Sequence, residues 1–319
     1  MTRPGADSTC DPEPHGIALS VIVPIHNEEG TVPLLFAEIC AALEPLCRPF
    51  EVLLVDDGST DAGGQMMDEM AAGDARLRPL HLDDNFGEAA ALSAGFAHAR
   101  GTIVMTLDGD LQNDPADLPR LLELLETGGY RSVSGWRRRR TGGLIRVLPS
   151  GLANWLIARV SGVPARDTGC GLKAHRSEVV RGICLPDGLH RFIPAVFGVC
   201  ASEFAQLEVA DRPRRSGQSH YGLSRFRAVL RDLLVVRYLP HHIARGFHAA
   251  GRLRAGGILG GVVAVLCLCA GRPGGAAAAG LLAGALATLA ASLAANLDRW
   301  RCAQQRKTYR VRPISAEQM

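Results

Sequence analysis

From residue 17 to about residue 209, short apolar runs alternate with stretches of helical period, and this alternation is the chain's main architectural signal. Residues 18–23 and 51–55 are rich in β-branched side chains and leucine. Each run stops at polar residues, so both read as strands. Between them Val32, Leu35, Ile39 and Leu43 fall on one side of a helical wheel, which predicts a helix over residues 31–46. Residues 77–82, 102–107 and 131–134 predict further strands, and 65–72, 88–99 and 115–126 predict helices among them. Strand and helix in turn imply an α/β fold: a Rossmann-like, mostly parallel sheet with helices on both faces. Such sheets bind ligands outside the carboxyl ends of their strands, and the polar motifs of this chain fall at those ends.

Other segments have a different texture. Residues 144–160 interleave Leu144, Leu148, Leu152, Trp155 and Leu156 with Arg146 and Arg159. Residues 223–239 set Leu223, Phe226, Leu230, Leu233 and Leu234 against Arg225, Arg227, Arg231 and Arg237. A basic amphipathic helix can lie in a membrane interface, or it can pack on a core with its charged back in solvent. Residues 255–271 and 274–297 carry no charge and are separated only by Arg272 and Pro273. Each is long enough to cross about 30 Å of hydrocarbon, the first only barely. Arg252 and Arg254 precede the pair, and Arg299, Arg301, Arg306 and Lys307 follow it, which puts both flanks in the cytoplasm. Gly256/Gly260 and Gly280/Gly284 would let two such helices approach closely. The competing reading is a soluble hairpin rich in alanine and glycine.

The resulting organisation is a disordered tail (1–16), an α/β domain (17–220), amphipathic juxtamembrane helices (221–254), a transmembrane hairpin (255–298) and a cytoplasmic tail (299–319). The first segment lacks the apolar stretch of a signal peptide, so the α/β domain is expected on the cytoplasmic side of the membrane. A formal net charge of +3 and an aromatic content of 5% argue against a nucleic-acid partner. Nine scattered cysteines, none in a CxxC pair, read as thiols of a reducing compartment.

Candidate chemistry lies at two strand ends. Asp108-Gly109-Asp110 follows the apolar run 102–107, so two carboxylates flank a flexible glycine. Hard oxygen donors at this spacing suit Mg²⁺ or Mn²⁺ completed by phosphate oxygens, although an isolated Asp-Gly-Asp is often only a turn. Asp56-Asp57-Gly58-Ser59 ends the second strand, where a carboxylate can accept from a ribose or a base; Ser59 or Asp61 can equally cap a helix. Neither the dinucleotide-binding glycine fingerprint nor a P-loop occurs.

Several motifs in order then resemble the family 2 glycosyltransferases of GT-A fold, and within them the branch of dolichol-phosphate mannose synthase and its bacterial undecaprenyl-phosphate relatives. They are Val23-Pro24-Ile25-His26-Asn27-Glu28-Glu29, Val55-Asp56-Asp57-Gly58-Ser59, Asn85-Phe86-Gly87 and Leu107-Asp108-Gly109-Asp110-Leu111-Gln112-Asn113-Asp114-Pro115. Val133-Ser134-Gly135-Trp136-Arg137, Asp167-Thr168-Gly169-Cys170-Gly171-Leu172-Lys173, His190-Arg191-Phe192 and Arg214-Arg215-Ser216-Gly217-Gln218-Ser219 add to them, as does the C-terminal hairpin.

The resemblance implies inverting, metal-dependent transfer of one sugar from a UDP- or GDP-linked donor to a polyprenyl phosphate. It implies that Pro24, Asn27, Glu28, Asp56, Asp57 and Asp108 line the nucleotide-sugar pocket, and that Asp108, Asp110 and Gln112 hold Mg²⁺ or Mn²⁺. Arg137, Arg146, Ser150, Arg214 and His220 would meet the phosphates, with Asp110, Arg137 and Asp167 catalytic. Homo-oligomers occur among such relatives. Two departures stand out: Asp83 and Asp84 replace a basic residue expected before Asn85, and His220 stands where lysine is usual. A processive polysaccharide synthase and a non-catalytic nucleotide-sugar-binding membrane scaffold are the rival readings. The first lacks its Gln-x-x-Arg-Trp motif here, and the second leaves the acidic motif without a purpose.

Overall fold

The structure is a computed structural model that describes residues 16–138, 163–182, 184–185, 189–212 and 309–311. The expected amphipathic helices, the hairpin over 255–298, most of the N-terminal tail, and Arg146, Ser150, Arg214 and His220 lie outside the described residues. Among the described residues no helix is long and apolar enough to cross a membrane.

Seven strands form one sheet: β1 (Leu19–Ile25), β2 (Phe50–Asp56), β3 (Leu77–His81), β4 (Ile103–Thr106), β5 (Ser132–Trp136), β6 (Lys173–Arg176) and β7 (Phe204–Glu208). Their order is β3-β2-β1-β4-β6-β5-β7. β1 pairs in parallel with β2 and β4, β2 with β3, and β5 with β7, whereas β6 runs antiparallel to both β4 and β5. The mostly parallel α/β sheet expected from the pattern is therefore present.

Burial on both faces explains why the strands read as continuous apolar runs. Along β1, Ile22 points into one core with Leu53, Val55 and Val104, while Val21 and Val23 point into the other with Val52 and Leu54. The second core takes the apolar faces of α1 (Val32–Leu43) and α4 (Leu118–Thr127). The first is covered by α3 (Glu88–His98) and by two short helices, α5 (Ser177–Val180) and α6 (Ile193–Val196). α2 (Gly63–Gly73) inserts Met67 into the second core.

Element boundaries follow local chemistry. The helix expected over 115–126 divides into a 3₁₀ turn, Pro115–Asp117, and then α4, because the Asp114 carboxylate accepts from the Ala116 N–H at 3.0 Å and starts the turn. Among the cysteines, Cys40, Cys170, Cys184 and Cys200 are free thiols, but Cys47 is disulfide-bonded, against the all-thiol expectation. Cys47 sits in a left-handed surface turn (φ 51°), and sequence spacing alone does not show which cysteine meets it.

Candidate active site at the carboxyl edge of the sheet

The carboxyl ends of β1, β2 and β4 lie side by side, so residues 24–29, 56–61 and 107–112 share one edge. Asp57 is buried, and its carboxylate accepts from the N–H groups of Phe86 (2.8 Å) and Gly87 (2.9 Å), at the start of α3. Burial dominates those bonds and raises its pKa above the ordinary carboxylate value. Gly58 has φ +65°, and a Cβ there would lie 2.5–2.6 Å from the backbone of Asp84 and Asn85. Glycine is thus the residue this close approach admits.

Asp56 faces the other way. It accepts from the Ser59 N–H (2.8 Å) and from His81 Nδ1 (3.0 Å), while His81 Nε2 reaches Asp68 at 3.0 Å. Burial would raise the Asp56 pKa, but His81 and Ser59 outweigh it and hold the group low. The Asp56 hydrogen bond, against the opposing effect of burial, holds the His81 pKa above its ordinary value, with Asp68 adding to it. His81 bridges two carboxylates, which favours its imidazolium form and supports Asp56 from behind.

The Asn27 side chain is committed to loop geometry. It has φ 55°, its Oδ1 accepts from the Thr60 N–H at 2.8 Å, and its own N–H donates to Ser59 Oγ at 3.0 Å. Glu28 carries the Thr31 hydroxyl, which donates to its backbone carbonyl and to its carboxylate, and also to Gly109 O at 3.0 Å. That last bond ties the β1 loop to the Asp-Gly-Asp segment. Gly109 itself lies against β1, where a Cβ would stand 2.9 Å from Pro24 O and 2.8 Å from Ile25 Cδ1.

The second half of the site gathers around Asp108. Burial, reinforced by the charges of Glu88 and Asp110, pushes its carboxyl up to about 7, against the opposing pull of Lys173 and Arg137. Asp110 Oδ1 accepts from the Gln112 N–H at 3.1 Å across Leu111, whose φ of 60° makes the turn. Acidic charge in excess of local positive charge is what a divalent cation relieves. Among the described residues no three His, Cys, Asp or Glu side chains form a metal-holding group. Asp108 and Asp110 supply hard carboxylate oxygens of the kind a divalent cation takes together with oxygens of a phosphate-bearing ligand.

Arg137, just past β5, is brought to the same edge because β6 joins β5 to β4. Its Nε donates to Asp167 Oδ2 at 2.9 Å and its Nη2 to Gly169 O at 2.8 Å. The pair is nearly sealed, with 11% and 3% of the side chains exposed. Burial would lower the arginine pKa, and the Asp167 hydrogen bond more than offsets that, so the charge is permanent. Arg137 and Asp167, both expected to be catalytic, form one unit in the structure.

Two neighbours of Asp108, Lys173 and Glu88, and the His190 that pairs with Glu88 were assigned no role from sequence. Lys173 on β6 is buried, and its ammonium donates to Cys170 O. Glu88 opens α3 and pairs with His190 Nε2 at 3.4 Å. The signal available for Lys173 was its place at the end of the motif Asp167 to Lys173. The other two meet only through tertiary packing. Beyond β7, the Arg212 N–H donates to Gln112 O at 2.9 Å and its guanidinium grips Asp114 at 2.8 Å and Glu38 at 2.6 Å, returning the chain to the acidic segment.

Against this geometry, comparison with known proteins is specific. The pattern of Glycosyl transferase family 2 matches residues 20–160. The dodecaprenyl-phosphate galacturonate synthase of Rhizobium johnstonii is 41% identical over 75% of this chain and 72% of its own length. The undecaprenyl-phosphate 4-deoxy-4-formamido-L-arabinose transferase of Shewanella sediminis is 36% identical over 68% of this chain and 65% of its own length. Among solved structures, mannosyl-3-phosphoglycerate synthase of Rubrobacter xylanophilus superposes with a TM-score of 0.55 at 21% identity, covering 72% of this chain and 77% of that one. Glucosyl-3-phosphoglycerate synthase of Mycobacterium tuberculosis, solved with Mn²⁺, UDP and phosphoglyceric acid, gives 0.53 at 23%, covering 70% and 78%. At such identities the structural likeness speaks to the fold. The sequence matches go further, and the chain belongs to Glycosyl transferase family 2.

Proposed function

We propose that this protein transfers a single sugar from a nucleotide-sugar to a polyprenyl phosphate at the cytoplasmic face of a membrane, with inversion at the anomeric carbon. The observation that carries the reading is the meeting of Asp108 and Asp110 with the Arg137–Asp167 pair at one sheet edge, beside the nucleotide-side carboxylate Asp57. The names of the two relatives supply the acceptor class.

In this reading Pro24, Asn27, Glu28, Asp56 and Asp57 shape the nucleotide end of the pocket. Asp108, Asp110 and Gln112 hold a divalent ion, Mg²⁺ or Mn²⁺, which neutralises the departing nucleoside diphosphate when bound. A lipid phosphate oxygen attacks the anomeric carbon, and the bond from that carbon to the diphosphate oxygen breaks. The acceptor phosphate is already anionic, its second pKa near 6 by comparison with phosphorylated side chains, so orientation matters more than a strong general base. Arg137, held through Nε by Asp167 and through Nη2 by Gly169 O, keeps its remaining guanidinium N–H groups for phosphate oxygens. Arg146, Ser150, Arg214 and His220 are assigned to the acceptor side; Arg214 follows two residues after Arg212, which is anchored at Gln112 and Asp114.

A hairpin over residues 255–298 anchors the protein. Arg212 and Tyr309 both pack in the α/β domain, which agrees with an even number of crossings between them. Asp110→Ala is expected to cut transfer by roughly 10²–10³-fold, the scale of losing one preorganised electrostatic group, with the fold retained. Near-normal turnover of that variant with purified lipid acceptor would remove the metal assignment.

A further inference from the structure

Tyr309, Arg310 and Val311 come after both apolar runs in sequence, yet they are packed into the α/β domain. Tyr309 is 3% exposed and sits in the apolar cluster with Leu82, Phe96 and Leu189. Its hydroxyl donates to Ser93 O at 3.4 Å, and burial pushes the phenol up to about 12, so it stays a donor. Val311 forms an antiparallel bridge with Leu82, and Arg310 O accepts from the Asp83 N–H at 3.0 Å. Leu82 in turn donates its own N–H to Asp56 O at 2.9 Å. The segment is therefore an added strand fragment on the outer side of the chain that leaves β3.

That chain becomes the loop 83–87, and its residues 84–87 meet Asp57, Gly58 and His26. Asp84 accepts from the Asn85 N–H at 2.8 Å. The Asn85 amide reaches His26 Nε2 at 3.1 Å. Phe86 and Gly87 supply the two N–H groups that Asp57 accepts, and the 84–85 backbone lies on Gly58. A three-residue segment thus pairs with the root of this loop, at Leu82 and Asp83, where Leu82 also bonds to the end of β2.

We propose that residues 309–311 are a clasp that positions the loop 83–87 for donor binding, with Tyr309 as the positioning residue. The proposal rests on the reading of the Asp57 end as the nucleotide pocket. It couples the part of the chain beyond the apolar runs to the donor side of the site, and it makes no demand on the acceptor side.

The test compares the full chain with a chain stopped after residue 308 and with Tyr309→Leu, each assayed with nucleotide-sugar and polyprenyl phosphate. The stopped chain is expected to show a donor KM raised roughly tenfold, one decade of affinity, with acceptor KM unchanged. Hydrogen exchange at the amides of 83–87 should quicken, while the strands of the sheet keep their protection. Tyr309→Leu should shift both readouts in the same direction by less, and it carries the test if the shortened chain fails to fold. Unchanged donor KM and unchanged exchange at 83–87 would overturn the clasp. Should no donor yield a lipid-linked sugar, the functional reading falls, and the exchange measurement still decides the clasp.

Discussion

Arg137 and Asp167 show how a site residue is defined by its partner. A guanidinium with 11% of its side chain exposed needs a counter-charge, and Asp167 supplies it through Nε while Gly169 O takes Nη2. Removing Asp167 leaves that charge buried and unpaired. Asp167→Ala is expected to cost about 3–5 kcal/mol of stability, read by denaturant melts, and to lower turnover as well. Arg137→Lys keeps the charge but loses the planar fork that bonds Asp167 and Gly169 O at once, and turnover is expected to fall roughly tenfold or more, with some loss of stability. Equal turnover in Arg137→Lys would show that the fork carries no weight. The acidic motif was legible in sequence as residues, since Asp108, Asp110, Asp57 and Arg137 stand at strand ends there. The Arg137–Asp167 contact was not, because thirty positions separate the two and only the reversed strand β6 closes the distance.

At the scale of elements, strands flanked by helices of clear period were readable, and strands built on polar positions were not. β1 to β5 and α1 to α4 lie close to the predicted spans because both faces of the early strands are apolar. β6 carries Lys173 and His175 at buried positions, so its pattern gives no strand signal. Burial, with the Lys173 charge adding to it, drives the His175 imidazole down to about 3, and it remains neutral beside Ser132.

The β2–β3 connection makes a sharper prediction. His81 joins the ends of β3 and β2 and the flank of α2 through Asp56 and Asp68. Its pKa is raised in the fold, so its stabilisation is complete below its ordinary value of 6.5 and is lost as pH rises through the folded value. Asp56 is held low, so its share is present above 3.8 and is lost as pH falls through the folded value. The pair is strongest between those limits. His81→Gln is expected to cost on the order of 1–2 kcal/mol at pH 5.5, and less as pH rises through the folded value. A stability gap that is flat across that range would contradict the charged bridge.

Over the whole molecule, the sheet orders its charges by position. The β2 end carries Asp57 against backbone N–H groups, the β4 end carries an acidic cluster, and the β5 end carries a fixed cation. A nucleotide, a diphosphate with its metal, and an anionic acceptor can be laid across that sequence in one direction. This ordering was foreseeable only in part: parallel strands predict which ends are shared, but the insertion of β6 between β4 and β5 decides that Arg137 faces Asp108. The return of Tyr309 to the domain had no signal in sequence, since a lone tyrosine in a basic stretch reads as solvent-exposed.

Single-sugar transfer to a lipid phosphate is tested most directly with the purified full chain, a panel of radiolabelled nucleotide-sugars, polyprenyl phosphate and Mg²⁺ or Mn²⁺. Label is expected in the organic extract for at least one donor, dependent on the metal, with one sugar per lipid. Longer saccharides on the product, or donor binding with no lipid product from any sugar in the panel, would contradict it.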